Sequence, residues 1–315
     1  MKRVVVIGEI LVEVMADTIG EGFLVPQPLT GPFPSGAPAI FADQMAKLGH
    51  PVSIISAVGD DDFGRVNIGR LKNDGVDTRA VYIDGERPTG SAFVRYRKDG
   101  ARNFVFNIRH SAAGHLHMTE NVRDVLAAAN HVHVMGSSLS SPEFVGLNLQ
   151  AIESVRARGG SVSFDPNLRK EILSAPGMAE ATKRILSLTD LFLPSGDELT
   201  LFTRSKDTAG AIEQLLAQGV RAIVHKRGIE GATYYDKARS LAVPAFKVDE
   251  IDPTGAGDCF GGTFTTFWLR DADPHEALRL AAASGALAVT RRGPMEGTAD
   301  LETLKSFIKN AERVA

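Results

Sequence analysis

The sequence predicts an α/β fold: a mostly parallel central sheet flanked by helices on both faces, with a small separate β-sheet. Two observations predict it. Short apolar runs of strand length alternate with longer stretches of helical period along most of the chain, the pattern of a parallel sheet covered by helices. Two segments, 11–34 and 86–108, break that rhythm with turn-rich or alternating sequence and no good helix. A chain of 315 residues can bury a large core, and 43% hydrophobic with 23% charged residues is ordinary for a globular protein.

Taken in order, residues 4–7 (Val-Val-Val-Ile) are uniformly apolar. They read as a strand buried on both faces, and the run is too short for a signal peptide. Residues 52–56, 132–134, 162–164, 191–193 and 222–224 read as further buried strands, and 41–48, 63–73, 144–158, 179–188 and 208–218 have helical period. Alternation over 91–97, then Asp99-Gly100, then the apolar run 103–106 predicts a β-hairpin. After Asp258 the strand signal fades, and 259–269, 274–291 and 301–315 look helical. The division is an α/β core of 1–10, 35–85 and 109–315 with a β lid of 11–34 and 86–108. In an open α/β sheet, ligands bind outside the carboxyl ends of the strands. A small sheet there would exclude water from the site.

Net charge is −3 with no basic run, which gives no sign of a nucleic-acid partner. No 18-residue apolar stretch suggests a membrane span. The single cysteine, Cys259, excludes an internal disulfide and fits the reducing cytoplasm, and it reads as a buried helix-start thiol.

Five predicted strands run into polar turns: Gly8-Glu9, Gly136-Ser137-Ser138, Asp165-Pro166-Asn167-Leu168-Arg169, Pro194-Ser195-Gly196-Asp197-Glu198 and His225-Lys226-Arg227-Gly228. Five polar exits suggest one shared crevice. The strongest chemical signal is Asp252-Pro253-Thr254-Gly255-Ala256-Gly257-Asp258, placed just before an apolar helical run. A helix start leaves backbone N–H groups unpaired and carries positive partial charge. Gly255, Ala256 and Gly257 are small enough for an anion to approach those groups. A carboxylate beside an anion cradle suits phosphoryl transfer to an alcohol, in which a proton leaves while negative charge accumulates nearby. The plainer reading is a Gly-rich helix cap.

The same heptapeptide resembles the D-T-x-G-A-G-D signature of the ribokinase/pfkB sugar kinases, with Pro253 before Thr254. The resemblance covers essentially the whole chain. It implies a ribokinase-like fold and puts the catalytic base on Asp258 and the anion hole on Gly255, Ala256 and Gly257. Gly8-Glu9-Ile10-Leu11-Val12-Glu13 resembles the family's G-E-x-x-x-D, with Glu13 in place of a sugar-binding Asp. Ser35-Gly36-Ala37-Pro38-Ala39-Ile40 resembles G-G-x-x-x-N: Gly36 matches as a substrate contact, and Ile40 stands where Asn is usual. Asp165-Pro166-Asn167-Leu168-Arg169 resembles the D-x-N-x-R of fructokinases and 2-keto-3-deoxygluconate kinases. There Arg169 would hold a sugar carboxylate or the transferring phosphoryl group, and Asn167 the sugar or the phosphate. Arg109 with Ser111-Ala112-Ala113 resembles, more loosely, the R-x-x-S-A-A of ketoaldonate kinases, and a solvated lid arginine is the plainer alternative.

For the nucleotide, Ser195-Gly196-Asp197-Glu198 resembles N-x-x-E, with Ser195 replacing Asn and Glu198 ordering magnesium through water. Lys226-Arg227-Gly228-Ile229-Glu230-Gly231 resembles the K-x-G-x-x-G of the ATP pocket, assigning Lys226, Gly228 and Gly231, with Ser284 and residues 286–295 on the opposite wall. The family implies ATP and Mg2+, a K+ site at Asp252 and Thr254, and a homodimer through the lid. Val58-Gly59-Asp60-Asp61-Asp62-Phe63-Gly64-Arg65 lacks calcium-loop spacing and reads as a turn with capping carboxylates. His131 and His133 alternate on a strand, and His115 and His117 sit in a loop, without a zinc pattern.

There is no G-x-x-x-x-G-K-[ST], so the phosphate site is not a P-loop. The expected activity is ATP-dependent phosphorylation of a primary hydroxyl of a ketohexose of fructose or tagatose type. The alternative substrate is 2-keto-3-deoxygluconate. A nucleoside kinase and a catalytically silent sugar-binding regulator are the other classes; binding alone would have no need of a base at Asp258.

Overall fold

The computed structural model describes residues 1–20, 22–98, 102–116, 118–139, 141–167 and 178–314. Its strands are β1 (Val4–Ile7), β2 (Leu11–Ala16), β3 (Leu29–Ser35), β4 (Val52–Gly59), β5 (Val81–Asp84), β6 (Gly90–Tyr96), β7 (Arg102–Asn107), β8 (His131–Met135), β9 (Ser161–Asp165), β10 (Leu191–Phe192), β11 (Ala222–Lys226), β12 (Ala232–Tyr235) and β13 (Ser240–Val243). Its helices are α1 (Ala37–Lys47), α2 (Asp62–Asn73), α3 (Glu120–Ala128), α4 (Pro142–Ala157), α5 (Met178–Ser187), α6 (Glu198–Leu201), α7 (Thr208–Ala217), α8 (Ala256–Leu269), α9 (Pro274–Val289) and α10 (Leu301–Val314).

Nine strands form one sheet in the order β13-β12-β11-β10-β9-β8-β1-β4-β5. It is parallel from β5 to β11, and β12 and β13 add an antiparallel edge. The uniform burial of β1 has a simple cause. Val5 and Ile7 pack on one face with Val125, Leu126, Ile152 and Leu215 from α3, α4 and α7. Val4 and Val6 pack on the other with Phe41, Met45 and Cys259 from α1 and α8. Each such side chain, fully buried, contributes about 1.5–3 kcal/mol. The chain leaves β1 in one direction toward β4 and β5 and later returns on the other side with β8. The order therefore reverses between β1 and β8, where an open sheet has its crevice.

A second sheet, β3-β2-β6-β7, stands apart from the first. The hairpin read from 91–106 is the antiparallel pair β6–β7, with Phe93 opposite Val105; its Asp99-Gly100 tip lies outside the described residues. The sheet is tied to the core at its root by Asp61. That carboxylate caps α2 through Gly64 N (2.8 Å) and also accepts from Thr89 N (2.8 Å) and Thr89 Oγ1 (2.7 Å).

Several boundaries differ from the sequence reading. Helix α1 begins at Ala37, so Ile40 lies in its first turn, and α8 begins at Ala256, so Asp258 lies inside the helix. Proline at the helix start and glycine caps carry no apolar periodicity, which is why both starts were set too late. Strands β5, β12 and β13 and helix α3 were not read at all; β5 and β13 are partly exposed and lack the fully apolar run of a central strand. The paired histidines point into the sheet's neighbours. Both His131 ring nitrogens meet serines, Ser161 at 2.8 Å and Ser163 at 2.7 Å. The His133 ring stacks on Phe41 at 3.6 Å between centroids. His117 lies outside the described residues.

Candidate active site

Beyond the strand ends lies a cleft of about 2030 Å³. Pockets for single small ligands hold ~300–1,000 Å³, so this one has room for two reactants. Glu9, Ser137, Asp165, Asn167, Ser195, Glu198 and Lys226 line its core side, Glu13, Arg102 and Phe104 its small-sheet side, and Thr254, Gly255, Gly257 and Asp258 its end.

The end wall is built by α8. Gly255 is its N-cap with φ 81° and ψ −8°, and no side chain caps this end. A Cβ on Gly255 would meet the Pro294 carbonyl oxygen at 2.4 Å, so both its dihedral angles and its packing require glycine. The first-turn N–H groups of α8 thus open onto the cleft at the positive end of the helix. Ala256 and Gly257 follow, and half-buried Asp258 is the first-turn acid. A helix-stabilising carboxylate at this position and a proton acceptor beside an anion are compatible roles.

The loop before α8 is held by Asp252, which is fully buried. Its Oδ1 accepts from Tyr96 Oη (2.9 Å), Thr254 N (3.0 Å) and Thr254 Oγ1 (2.7 Å), and its Oδ2 from Gly293 N (3.0 Å). Asp252 does not line the cleft; Thr254 does. Arg102 Nη1 donates to Thr254 Oγ1 at 2.7 Å. Tyr96 and Arg102 come from β6 and β7, so the small sheet reaches the loop that leads into α8.

Glu13 on β2 is 3% exposed. Ser35 Oγ donates to its Oε2 at 3.3 Å. Its Oε1 makes no hydrogen bond of normal geometry among the described residues, although the Thr254 hydroxyl lies near enough to act on its charge. Burial pushes the Glu13 carboxyl up to about 7, the Asp252 charge adds to the rise, and Arg102 opposes it. Gly36, at φ 115°, caps α1 beside it; a Cβ there would meet the Glu9 carbonyl oxygen at 2.4 Å. Ile40 lines the same wall, its Cγ2 3.4 Å from where a Cβ on Gly255 would stand.

On the core side, Glu9 accepts from Ser137 Oγ (3.1 Å) and Ser138 Oγ (2.6 Å), closing the point where the strand order reverses. Asp165, 2% exposed, is ion-paired with Lys226 and accepts from Asn167 N at 3.2 Å. Burial raises the Asp165 carboxyl and the Lys226 ammonium pulls it back. Asn167 holds φ 37°, which asparagine tolerates better than most residues. Glu198 Oε2 accepts from Ser195 N at 2.7 Å, as a helix-start glutamate does when it reaches back.

The structure thus brings Glu13, Gly36, Arg109, Asn167, Ser195, Glu198, Lys226, Thr254, Gly255, Gly257 and Asp258 to one cleft. Ser284 is not among them. It is fully buried on α9, and its hydroxyl donates to the Cys259 carbonyl oxygen at 3.2 Å, so it joins α9 to α8. Gly228 and Gly231, which follow β11, are not among the residues that line the cleft. Gly231 is required by a close approach, since a Cβ there would meet Val243 O at 2.1 Å. Arg169 lies outside the described residues. Sequence reasoning singled out no role for Arg102, Tyr96, Glu9 or Asp165. Only Glu9 and Asp165 had a signal, as acids at strand exits.

Among the described residues no group of three or more His, Cys, Asp or Glu is placed to hold a metal ion. No described helix is long and apolar enough to cross a membrane.

Comparison with known proteins gives consistent results. Residues 1–301 match the model of the pfkB family carbohydrate kinases. The chain is 32% identical over 305 residues to "Probable fructokinase-5" of Arabidopsis thaliana, covering 92% of each chain. Among solved structures it is similar to a "putative Ribokinase II" from E. coli in complex with ATP and Mg2+, with a TM-score of 0.93 and 46% identity, covering 98% of this chain and 100% of that one. It is also similar to a fructokinase double mutant from Vibrio cholerae O395 bound to fructose, ADP and potassium, with a TM-score of 0.84 and 27% identity over 98% of both chains.

Proposed function

This chain belongs to the pfkB family of carbohydrate kinases, and from that membership we propose that it transfers the γ-phosphoryl group of ATP to a primary hydroxyl of a ketohexose of fructose or tagatose type. The observation that carries the proposal is Asp258 in the first turn of a helix whose uncapped amino end opens on a two-reactant cleft. Asp258 accepts the hydroxyl proton as the sugar oxygen attacks phosphorus and ADP leaves. The amides of residues 255–257 receive the charge that spreads onto the phosphoryl oxygens. Glu13, Gly36, Asn167 and Arg109 bind the sugar, and Ser195 and Lys226 face the nucleotide. Arg169 is assigned to the phosphoryl group or the sugar on the sequence pattern alone.

Glu198 would hold Mg2+ through water, and the ion would supply positive charge to offset that of the nucleotide phosphates. Oδ2 of Asp252, which holds a single donor, together with Thr254 would serve K+. The relatives named fructokinases and the ATP- and Mg2+-bound neighbour support these assignments. The small sheet, 11–34 and 86–108, acts as a lid, and exposed Val105, on the face of β7 opposite the cleft-lining Phe104 and Phe106, suits a homodimer contact. The lone buried thiol and the use of ATP suit the cytoplasm.

A second reading, a sugar-acid substrate of the 2-keto-3-deoxygluconate kind, is favoured by two arginines, Arg102 and Arg109, lining the cleft. Coupled measurement of ADP release with a panel of ketoses, ketoaldonates and nucleosides separates the readings. Turnover with fructose or tagatose and not with ketoaldonates supports the first. The reverse supports the second, and no sugar-dependent release from folded, ATP-binding protein would remove both.

A further inference from the structure

The cleft floor contains a charge pair whose retention packing alone does not explain. Lys226 ends β11 and Asp165 ends β9, the strands on either side of β10. They are 8% and 2% exposed and joined by a direct ion pair. A buried ion pair is often no more stabilising than apolar residues of the same volume, and Phe164 and Phe192 show that this region packs apolar side chains readily. The pair is also aimed. Lys226 Nζ lies 3.9 Å from the position of a Cβ on Gly257, the second residue of α8, and Asp165 Oδ2 lies 3.6 Å from that of Gly261, one turn further on. The ammonium therefore stands beside the first-turn amides of α8, and Gly257 leaves no side chain between it and the cleft. Its backbone is fixed as firmly: Lys226 N donates to Pro194 O and Gly196 N to Lys226 O, both at 2.9 Å. The same residue thereby anchors the turn that carries Ser195 and Glu198.

We infer that Lys226 is a side-chain cation that contacts the transferring phosphoryl group at the amino end of α8, and that Asp165 is a positioning residue which holds its ammonium there. Without nucleotide, Asp165 neutralises the buried ammonium. When an anionic phosphoryl group arrives, the ammonium is shared between the two acceptors, and its location does not have to be established anew. Asp165 Oδ1 meanwhile keeps the Asn167 backbone in its turn, so the carboxylate aligns both the cationic and the sugar side of the floor. This inference rests on the phosphoryl-transfer reading.

The test is a double-mutant cycle on the full chain, with kcat and both KM values measured on variants shown to melt cooperatively. Lys226→Met should lower kcat by roughly 10²–10³-fold, the scale of one lost donor to a developing oxyanion, with sugar KM changed by less than about threefold. Lys226→Arg should recover part of the loss. Asp165→Asn keeps an acceptor for Asn167 and should lower kcat by about tenfold or more. The double variant Asp165→Asn/Lys226→Met removes both charges, so it folds without an unpaired buried ion. It should fall within about threefold of Lys226→Met alone, because residues acting as a unit are non-additive. A near-wild-type kcat for Lys226→Met, or losses that multiply in the double variant, would overturn the inference. Absence of sugar-dependent ADP release from the wild-type protein would instead overturn the kinase reading on which it rests.

Discussion

The Tyr96 hydroxyl donates to the buried Asp252 carboxylate at 2.9 Å, across 156 residues of sequence and between the two sheets. Asp252 in turn holds Thr254, and Gly255 begins the anion cradle. This bond and that from Arg102 to Thr254 tie the small sheet to the loop that leads into α8. Tyr96→Phe keeps the ring and removes that bond. Asp252 retains three other donors, so the cost should be about 1 kcal/mol by denaturant unfolding. Sugar KM should rise while ATP KM stays near its wild-type value. Equal rises in both would show that the bond does not link the sheet specifically to the sugar side.

Asp258→Asn removes the proton acceptor and preserves the size of the side chain. We expect kcat to fall by roughly 10²–10⁴-fold, with nucleotide affinity by calorimetry little changed. Turnover close to wild type would remove the base assignment from Asp258.

Glu13 makes the stability of the ligand-free protein pH-dependent in a definite direction. Its carboxyl titrates near 4.5 when unfolded and about 7 when folded. Between those values the native state holds more protons than the unfolded state, so this group's contribution to stability falls as pH rises through the window. The full effect is about 3 kcal/mol at most, from a shift of this size. Glu13→Gln should flatten the stability profile between about pH 4.5 and 7 by up to that amount. An unchanged slope would mean that Glu13 is hydrated and normally ionised.

Gly255→Ala tests the cradle's backbone. It places a Cβ at φ 81° and 2.4 Å from a carbonyl oxygen. Stability should fall by more than about 1 kcal/mol. At temperatures where the variant is folded, kcat should fall because the start of α8 has moved. A folded variant with full activity would show that the amides of α8 need not hold this geometry.

Much of the fold was legible because its signals are local. The uniformly apolar 4–7 run marked β1, alternation marked the β6–β7 hairpin, and small residues before an apolar helix marked the cradle at 255–258. What was missed had weak local signals. Strands β12 and β13 gain their place by pairing at the sheet edge, and the Ser284 bond to the Cys259 carbonyl forms only when α9 packs on α8.

The alternation of strands and helices, its interruption by the small sheet, and a helix start suited to an anion with an acid in its first turn are all readable in the chain alone. These follow from periodicity and from residue chemistry within a few positions. Only the tertiary structure decided that Lys226 pairs with Asp165, 61 residues away, that Tyr96 reaches Asp252, and that Arg102 enters the cleft. Such partners are set by which strand ends the topology brings side by side and by which face each side chain leaves. No short-range pattern in a sequence carries that information.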